Sequence, residues 1–245
     1  MIINFDLSQI EIIVAAQLSQ DQSLIELLNK DIDIYRYFAS IMYNKLQYEV
    51  TKEERDSLKI PILGINYGKG YMTLANETGK SEDWCKKFID AYYAEFPAIK
   101  LMHTNWTQEV NKTGMLKMFD GLNLQFKYYE KTWSDEYNCW FKAGYKPTEI
   151  KNYPIQHTAF VILSLFLSTL WREKVIYKRD KYLLICTIHD SIMLDCKPEY
   201  IEEAKQDVQE ILAKLSDLLY NMYELKMTVP IRAEITCGES WYDLN

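Results

Sequence analysis

Two aspartates lie where neighbouring strands would bring their carboxylates together. Asp6 ends the strand pattern of residues 2–6, and Asp190 lies between the two apolar runs of residues 181–196, a pattern typical of a β-hairpin. If these strands pair in one sheet, the carboxylates meet at its edge and repel each other unless a divalent cation neutralises them. Oxygen ligands favour Mg²⁺, which takes its other ligands from water and substrate phosphates. The pair therefore predicts a two-metal site for displacement at phosphorus, although a lone aspartate at a strand end is usually a turn or cap residue.

A second group combines cations with an aromatic ring on one helix. A capping box formed by Thr51 and Glu54 predicts that this helix begins at Thr51 and runs over residues 51–68, and Pro61 inside it predicts a kink. Residues at four-residue spacing share one face of it: Arg55, Lys59, Leu63 and Tyr67, followed by Gly68. A basic helix edge is most often only solvated. Here cations followed by a flat ring suit a triphosphate at one end and a base at the other.

The remaining patterns predict the elements that position these groups. Helices are predicted over residues 8–19, 31–46, 81–97, 153–173 and 198–223, and a last strand over 229–238. Residues 113–148 carry Gly, Lys and Tyr and are interpreted as loops or a small hairpin region. The order predicts an α+β fold, a small antiparallel sheet with helices packed on it and an all-α insertion.

Composition narrows the class of protein. The net charge of −7 argues against a stand-alone nucleic-acid binder, because such proteins usually present a basic surface. The five cysteines are scattered without CxxC pairs, as expected of reduced thiols in a cytoplasmic protein. The N-terminus lacks the pattern of a secretory signal, and the most apolar run, residues 158–171, is too short to span a bilayer. We therefore expect a cytoplasmic protein without a membrane segment.

Three motifs in chain order resemble motifs A, B and C of the family A DNA polymerases, those like bacterial DNA polymerase I. They are Asp6-Leu7-Ser8-Gln9-Ile10-Glu11, Arg55-x3-Lys59-x7-Tyr67-Gly68 and His189-Asp190-Ser191. Between the last two, Asn152-x3-Gln156 resembles the family's helix at the template and minor groove, and residues 229–241 look like its C-terminal strand. The resemblance covers nearly the whole chain, and three ordered motifs are far more specific than one.

The resemblance implies roles for the charged residues of these motifs. Asp6 and Asp190 would hold two Mg²⁺ ions, with Mn²⁺ as a substitute. Lys59 would meet the α- and γ-phosphates of a dNTP, and Arg55 would meet the γ-phosphate. Donors for phosphate oxygens and carboxylates for metals fit these roles chemically.

The resemblance also implies a nucleotide pocket and DNA contacts. Tyr67 would close the pocket of the nascent base pair, and Glu11 would bond to Tyr67 and exclude a ribose 2′-OH. Gln9 would lie beside the triphosphate. Further residues at matching positions would complete the two sites: Leu63 and Tyr35 beside the nucleotide, and His189 at the primer terminus with Gln156, Asn152 and Gly68 on the DNA.

The sequence departs from the family pattern at several of these positions. Leu63 stands where an aromatic residue is usual, and Tyr35 stands where many members have a histidine. Ser191 replaces the acidic residue that commonly follows the motif C aspartate, which leaves two carboxylates rather than three. Thr148 replaces an arginine, and residues 121–124 replace a basic run, so we expect weaker DNA binding with catalysis retained.

The resemblance implies a palm over residues 1–12 and 148–245 and fingers over residues 13–147, without a thumb or an exonuclease domain. We expect primer–template DNA and dNTPs as ligands. We also expect a second polypeptide that carries the thumb, the N-terminal palm and a 3′–5′ exonuclease, as in a split polymerase of phage type in the host cytoplasm. Met1 would then be the native start of a subunit; the alternative is that the sequence is a segment excised from a longer polymerase.

Three other interpretations remain open. A single-subunit RNA polymerase has similar motifs B and C, but Glu11 favours deoxynucleotides. A polymerase-like subunit could bind DNA or a partner without catalysis, and an α+β domain could carry the motifs by accident. Comparing dNTP with rNTP incorporation and testing Asp190→Asn separates these alternatives.

Overall fold

A computed structural model describes residues 1–134 and 139–244, and these form an α+β architecture. The chain divides into two compact units. The sheet unit contains Met1–Ile13 and His157–Asn245, and the helical unit contains Val14–Gln156. The α+β class predicted from the sequence is confirmed.

The elements follow one another in an order close to the predicted one. The α-helices of the described residues are α1 Ile10–Ser19, α2 Gln22–Asn29, α3 Ile34–Tyr43, α4 Lys52–Ser57, α5 Lys59–Asn66, α6 Tyr71–Thr78, α7 Glu82–Glu95, α8 Pro97–Thr113, α9 Pro147–Glu173 and α10 Ile201–Tyr223. The strands are β1 Ile2–Leu7, β2 Met115–Lys117, β3 Asn123–Gln125, β4 Tyr128–Tyr129, β5 Thr132–Ser134, β6 Cys139–Phe141, β7 Gly144–Tyr145, β8 Tyr182–Ile188, β9 Ser191–Cys196 and β10 Ala233–Gly238.

The sheet unit is built around an antiparallel sheet with the strand order β10-β1-β9-β8. Alternate residues of β1, Ile3, Phe5 and Leu7, are at most 1% exposed. Because side chains alternate across a strand, Asp6 lies on the opposite face and is half-buried. The alternation therefore fixes the side of the sheet on which chemistry can take place.

A network of charges joins β8 to α10 within this unit. Asp207 on α10 accepts a hydrogen bond of 2.5 Å from the Tyr182 hydroxyl and pairs with Lys174 at 2.9 Å and Lys178 at 2.5 Å. Burial pushes the pKa of Asp207 up, but the bonds from these three donors outweigh it and hold that pKa below its usual range. The charges of Lys174 and Lys178 are thus neutralised by a carboxylate of the same unit.

The helical unit has an aromatic core contributed by α3 and α7. Phe38, Phe88, Tyr92 and Phe96 are fully buried, and the ring centroids of Phe38 and Tyr92 are 5.2 Å apart. The Tyr92 hydroxyl donates to Asn66 Oδ1 over 2.9 Å, which ties the end of α5 to this core. The C-terminal end of the motif B region is therefore anchored from beneath.

One buried aspartate caps two helices. Asp21, 2% exposed, accepts a hydrogen bond from the Leu24 amide at the start of α2 and another from the Ala98 amide at the start of α8. The distances are 3.1 and 2.9 Å. Each bond satisfies a backbone donor that the helix itself leaves free.

The motif B region differs from the single helix expected over residues 51–68. The capping box at Thr51 is confirmed, but the helix is interrupted at Leu58, between α4 and α5. Pro61 explains the position of the break. Its ring would clash with the carbonyl group of the residue four positions earlier, which is the last residue of α4. The expected kink is thus a full interruption that lies three residues before the proline.

Residues 113–148, expected to be loops or a hairpin region, contain the antiparallel pairs β2–β3, β4–β7 and β5–β6; residues 135–138 lie outside the described part. Helix α9 begins at Pro147, earlier than the predicted residue 153. Over the described residues, no helix combines the length and apolar character needed to cross a membrane. The cysteines whose side chains are described are free thiols: Cys85, Cys186, Cys196 and Cys237.

Candidate active site

The backbone of the sheet unit brings Asp6 and Asp190 together. Asp190 lies in the turn between β8 and β9, and its carbonyl accepts a hydrogen bond of 3.1 Å from the Leu7 amide. Ser191, the next residue, is the register partner of Asp6. His189 is exposed and adopts a left-handed conformation at φ 52°, as the tight turn requires. The hairpin therefore places the second aspartate directly beside the end of β1.

The electrostatics of Asp6 fit a site for a hard divalent cation. Burial raises its pKa above the ordinary 3.8, and the negative charges of Asp190 and Glu234 raise it further. A cation would relieve this repulsion, and carboxylate oxygens are the ligands that Mg²⁺ prefers. In the described part of the chain, no three His, Cys, Asp or Glu side chains form a group that could hold a metal. Two carboxylates would thus leave most coordination positions to water and substrate oxygens.

Glu234 is a charged neighbour that the sequence analysis missed. It lies on β10 as the register partner of Asp6, and cross-strand partners project from the same face of a sheet. Motif C lacks an acidic residue after Asp190, so Glu234 supplies the third negative charge near Asp6 from a different strand. The signal that could have revealed it is the strand register of residues 229–238, which a local pattern does not contain.

Gln9 and Glu11 lie at the start of α1. Gln9 is exposed in a left-handed conformation at φ 52°, and its carbonyl accepts bonds from the amides of Ile12 and Ile13 at 2.9 and 3.0 Å. Glu11 is half-buried in the first turn, where a negative charge is favoured by the helix dipole. The tight bend after β1 thus presents a Gln side chain to solvent within three residues of Asp6.

In the helical unit, Arg55 and Lys59 are held by aspartates. Arg55 Nε is 2.6 Å from Asp33 and its Nη1 is 2.8 Å from Asp56, and Lys59 Nζ is 2.9 Å from the same Asp56 oxygen. The hydrogen bond from Lys59 lowers the pKa of Asp56, with a further contribution from Arg55. Asp56 therefore bridges both candidate phosphate ligands.

The aromatic residue expected beside the nucleotide supports one of these cations from below. Tyr35 is 7% exposed, and the Arg55 guanidinium carbon lies 5.4 Å from its ring centroid. A cation above a ring face is electrostatically favoured. The geometry thus gives Tyr35 a role in orienting Arg55.

The rest of the motif B face is accessible up to its end. Leu63 and Tyr67 are half-buried, whereas Ile62 and Ile65 are at most 1% exposed. Gly68 follows at φ +75°, and a Cβ there would lie 2.7 Å from the Pro147 carbonyl oxygen. Only glycine combines this conformation with so close an approach of another backbone segment.

Asn152 and Gln156 lie one helical turn apart on α9. Gln156 is exposed, as a residue that contacts a ligand should be. Asn152 is half-buried, and its Oδ1 is buried without a hydrogen-bond partner among the described residues. An amide oxygen left in this state gains from any donor that reaches it.

Comparison with known proteins places this geometry in a family. The sequence profile of DNA polymerase family A matches residues 1–243. DNA polymerase I of Bacillus subtilis is 27% identical over 238 residues, which cover 97% of this chain and 25% of that protein. The DNA polymerase of Bacillus phage SP01 is 27% identical over 253 residues, covering 99% of this chain and 26% of the relative.

A solved structure has the same fold. The polymerase domain of Pol1 from M. smegmatis, in complex with DNA primer-template and dNTP, superposes with a TM-score of 0.80 at 22% identity. The match covers 99% of this chain and 40% of that one. The chain thus spans about a quarter of the length of the curated relatives it matches.

Proposed function

The chain belongs to DNA polymerase family A, and from that membership we propose that it carries out template-directed DNA synthesis from dNTPs. The observation that carries the proposal is the placement of Asp190 beside Asp6 by the pairing of β1 with the β8–β9 hairpin. Burial raises the pKa of Asp6, and the charge of Asp190 raises it further. In this assignment residues 1–12 and 148–245 form the palm, and residues 13–147 form the fingers. The reaction is attack of a primer 3′-OH on the α-phosphate, with pyrophosphate as the leaving group.

Asp6 and Asp190 would hold two Mg²⁺ ions, for which Mn²⁺ can substitute. When bound, the ions supply neutralisation of phosphate charge and activation of the attacking hydroxyl. The two carboxylates would hold the ions at the end of β1, where alternate side chains of the strand are buried. Glu234, the cross-strand partner of Asp6, adds negative charge beside it and would thereby strengthen the attraction for cations.

Arg55 and Lys59 would bind the triphosphate after exchanging Asp56 for phosphate oxygens. Arg55 retains Asp33 at 2.6 Å and the Tyr35 ring beneath it, so its guanidinium stays oriented when Asp56 is displaced. Lys59 has Asp56 as its carboxylate partner and would swing freely toward the phosphates. The side chains thus divide into an oriented donor and a mobile charge.

The base and sugar would be recognised by the residues at the two helix ends. Tyr67 would cover the nascent base pair, Glu11 would exclude a ribose 2′-OH, and Gln9 would contact the triphosphate. Leu63 would line the pocket with an aliphatic surface instead of a ring. On the DNA side, His189 would meet the primer terminus, and Asn152 and Gln156 would offer amides to the minor groove beside Gly68.

Primer extension with purified protein tests this function. We expect Mg²⁺-dependent incorporation of dNTPs, no incorporation by Asp6→Asn, and discrimination against rNTPs. Equal use of dNTPs and rNTPs would contradict the sugar gate at Glu11 and favour an RNA polymerase. Primer–template binding without synthesis under all metal conditions would favour a non-catalytic subunit.

A second polypeptide is proposed to supply the thumb, the N-terminal palm and a 3′–5′ exonuclease. The observation that supports it is the net charge of −7, which gives this chain little general attraction for DNA. Affinity capture from the native source, followed by mass spectrometry, should recover a polymerase-like chain in fixed ratio. Processive extension by the isolated chain would contradict this part of the proposal.

A further inference from the structure

A polar pocket in the helical unit lies apart from the motif B face. It has a volume of about 320 Å³ and is lined by residues of α7, α8 and α9, among them Tyr93, Lys100, His103 and Lys151. We call it the His103 pocket. None of its lining residues belongs to the motifs that carry the proposed polymerase function.

The histidine at its base has a buried nitrogen without a partner. His103 is 2% exposed, and its Nδ1 lies 3.1 Å from the Tyr93 hydroxyl. Its Nε2 is buried and has no hydrogen-bond partner in the described part of the chain. A buried polar atom left in this state costs free energy unless a ligand or water satisfies it.

One tautomer of His103 makes this nitrogen a donor. Burial lowers the pKa of His103 to about 3, with a contribution from the charge of Lys151, so the ring is neutral and carries one proton. Burial also raises the pKa of Tyr93 to about 12, which keeps the phenol protonated and able to donate to Nδ1. When the phenol donates to Nδ1, the ring proton resides on Nε2, and this N–H donor has no acceptor among the described residues.

Two lysines give the same pocket positive charge without a carboxylate. Lys151 is half-buried, burial lowers its pKa, and it has no acidic partner among the described residues. Lys100 is exposed, with Nζ 6.0 Å from the Tyr93 ring centroid. By contrast, Lys174 and Lys178 of the sheet unit both pair with Asp207.

The other polar residues of the pocket further restrict the chemical class of the ligand. The hydroxyls of Thr104 and Thr107 donate to the carbonyls of Lys100 and His103 on their own helix, at 2.8 and 2.7 Å. Their hydrogens are therefore committed, and Gln108 contributes an amide at the rim. The free donors are thus two ammonium groups, an imidazole N–H and an amide, and the pocket's lining contains no acid.

We propose that the His103 pocket binds a phosphate group, held by Lys151, Lys100 and the Nε2–H of His103. An anion with several oxygens accepts from all three donors at once, and charge-assisted bonds of this kind are strong. A single phosphate is far smaller than the pocket, which leaves room for a substituent on it. The ligand class is therefore a phosphate monoester, a phosphodiester or the free anion.

The pocket is physically connected to the end of motif B. The aliphatic stem of Lys151 passes over Gly68, where a Cβ would lie 2.8 Å from Lys151 Cδ. A phosphate that fixes the Lys151 ammonium would also fix this stem against the glycine that follows Tyr67. Occupancy of the pocket is thus coupled by direct contact to the surface at which the nucleotide is proposed to bind.

Histidine NMR provides a direct test, because the chain has three histidines. With the protein labelled at its histidines, inorganic phosphate is titrated at constant ionic strength, and the His103 signal is assigned with His103→Gln. We expect saturable shifts confined to the His103 signal, while the signals of His157 and His189 report on the fold. The readout needs no DNA synthesis, so the inference can fail or hold independently of the proposed function.

Three lysine variants identify the pocket. Lys151→Met and the exposed Lys100→Met should each weaken phosphate binding about tenfold through loss of a charge-assisted bond. Lys112→Met, an exposed change of the same charge on α8, should alter it by less than about twofold, because distant surface charges are screened. Equal losses in all three variants, or an unshifted His103 signal, would overturn the proposal.

A competition experiment decides which kind of molecule carries the phosphate. A short single-stranded oligothymidylate is added to the phosphate-saturated protein. Displacement of phosphate with a shift of the His103 signal assigns the pocket to a nucleic-acid phosphodiester. Phosphate binding that the oligonucleotide does not affect assigns it to a free phosphate or a small phosphate ester.

Discussion

The two groups of charged side chains proposed to act in catalysis are balanced in opposite ways. In the sheet unit, Asp6 lies beside Asp190 and a third carboxylate, and its pKa is raised. In the helical unit, Arg55 and Lys59 share Asp56, whose pKa is lowered. One group is destabilised by its own charges, whereas the other is already neutralised.

Because of this difference, the two groups do not gain the same binding energy from a ligand. A cation near Asp6 relieves repulsion and displaces no internal partner, so the sheet unit favours metal binding strongly. A triphosphate near Lys59 must first replace Asp56, so part of the binding energy is spent on breaking ion pairs. The exchange in the helical unit would therefore lower the affinity for every triphosphate by the same amount, whereas cation binding in the sheet unit has no such cost.

The largest expected effect comes from breaking the carboxylate pair. Asp190→Asn should lower the rate of DNA synthesis about a thousandfold, because cation binding is worth several kcal/mol to the transition state. In Mg²⁺-free buffer its melting temperature should not fall, since the repulsion with Asp6 is removed. Primer extension and thermal melting measure the two effects.

The matched control is Asp195→Asn, an exposed change of the same charge on β9. We expect it to keep the rate of synthesis within about threefold, because its carboxylate forms an exposed ion pair with the N-terminus. A comparable loss in both variants would mean that the hairpin's overall charge matters, not the pair.

The next largest effect is expected at Gly68, the glycine that ends the motif B face. Gly68→Ala should lower the free energy of unfolding by about 2–3 kcal/mol, because φ +75° and the nearby Pro147 carbonyl both oppose a side chain. Gly70→Ala is the control, since its Cβ would meet no atom within 4 Å at φ −83°. Urea denaturation should show a change below about 0.5 kcal/mol for the control.

A smaller effect is expected from removing the carboxylate that pairs with Arg55 and Lys59. Asp56→Asn removes the carboxylate shared by Arg55 and Lys59 and should lower the KM for dNTP about threefold, as expected for exposed ion pairs. Glu53→Gln on the exposed side of α4 should leave KM unchanged. A higher KM for Asp56→Asn would show that this aspartate positions the cations rather than competing with the ligand.

The smallest effect concerns pH. Because the pKa of Asp6 is raised in the folded state, stability should fall as pH rises from the ordinary value of 3.8 through the raised pKa. Saturating Mg²⁺ should remove this dependence. Glu234→Gln should reduce it, since one of the charges that raise the pKa is lost, whereas Glu239→Gln at the exposed end of the strand should not. Melting curves between pH 4 and 7, about the range in which carboxylates with raised pKa titrate, measure the difference.

Local patterns were enough to predict the elements that carry the candidate site. The alternation of residues 2–6, the apolar runs around His189 and the capping box at Thr51 each depend on contacts within a few residues. The structure contains the corresponding strand, hairpin and cap. The helix that follows β1 was predicted for the same reason.

What the sequence did not predict depends on contacts distant in the chain. Glu234 becomes a neighbour of Asp6 only through the pairing of β10 with β1, which is set by the whole sheet. Arg55 likewise pairs with Asp33, which lies 22 residues earlier in the chain. The short strands β2 to β7 carry too few residues for a period to emerge.

The double cap at Asp21 has a consequence for the dynamics of the helical unit. The amides of Leu24 and Ala98 are protected by the same carboxylate, although they lie far apart in the sequence. Opening one helix start removes one of the two amide donors from a carboxylate that stays buried, which makes partial opening unfavourable. The two amides should therefore exchange with solvent as one cooperative unit, and the beginnings of α2 and α8 should unfold together.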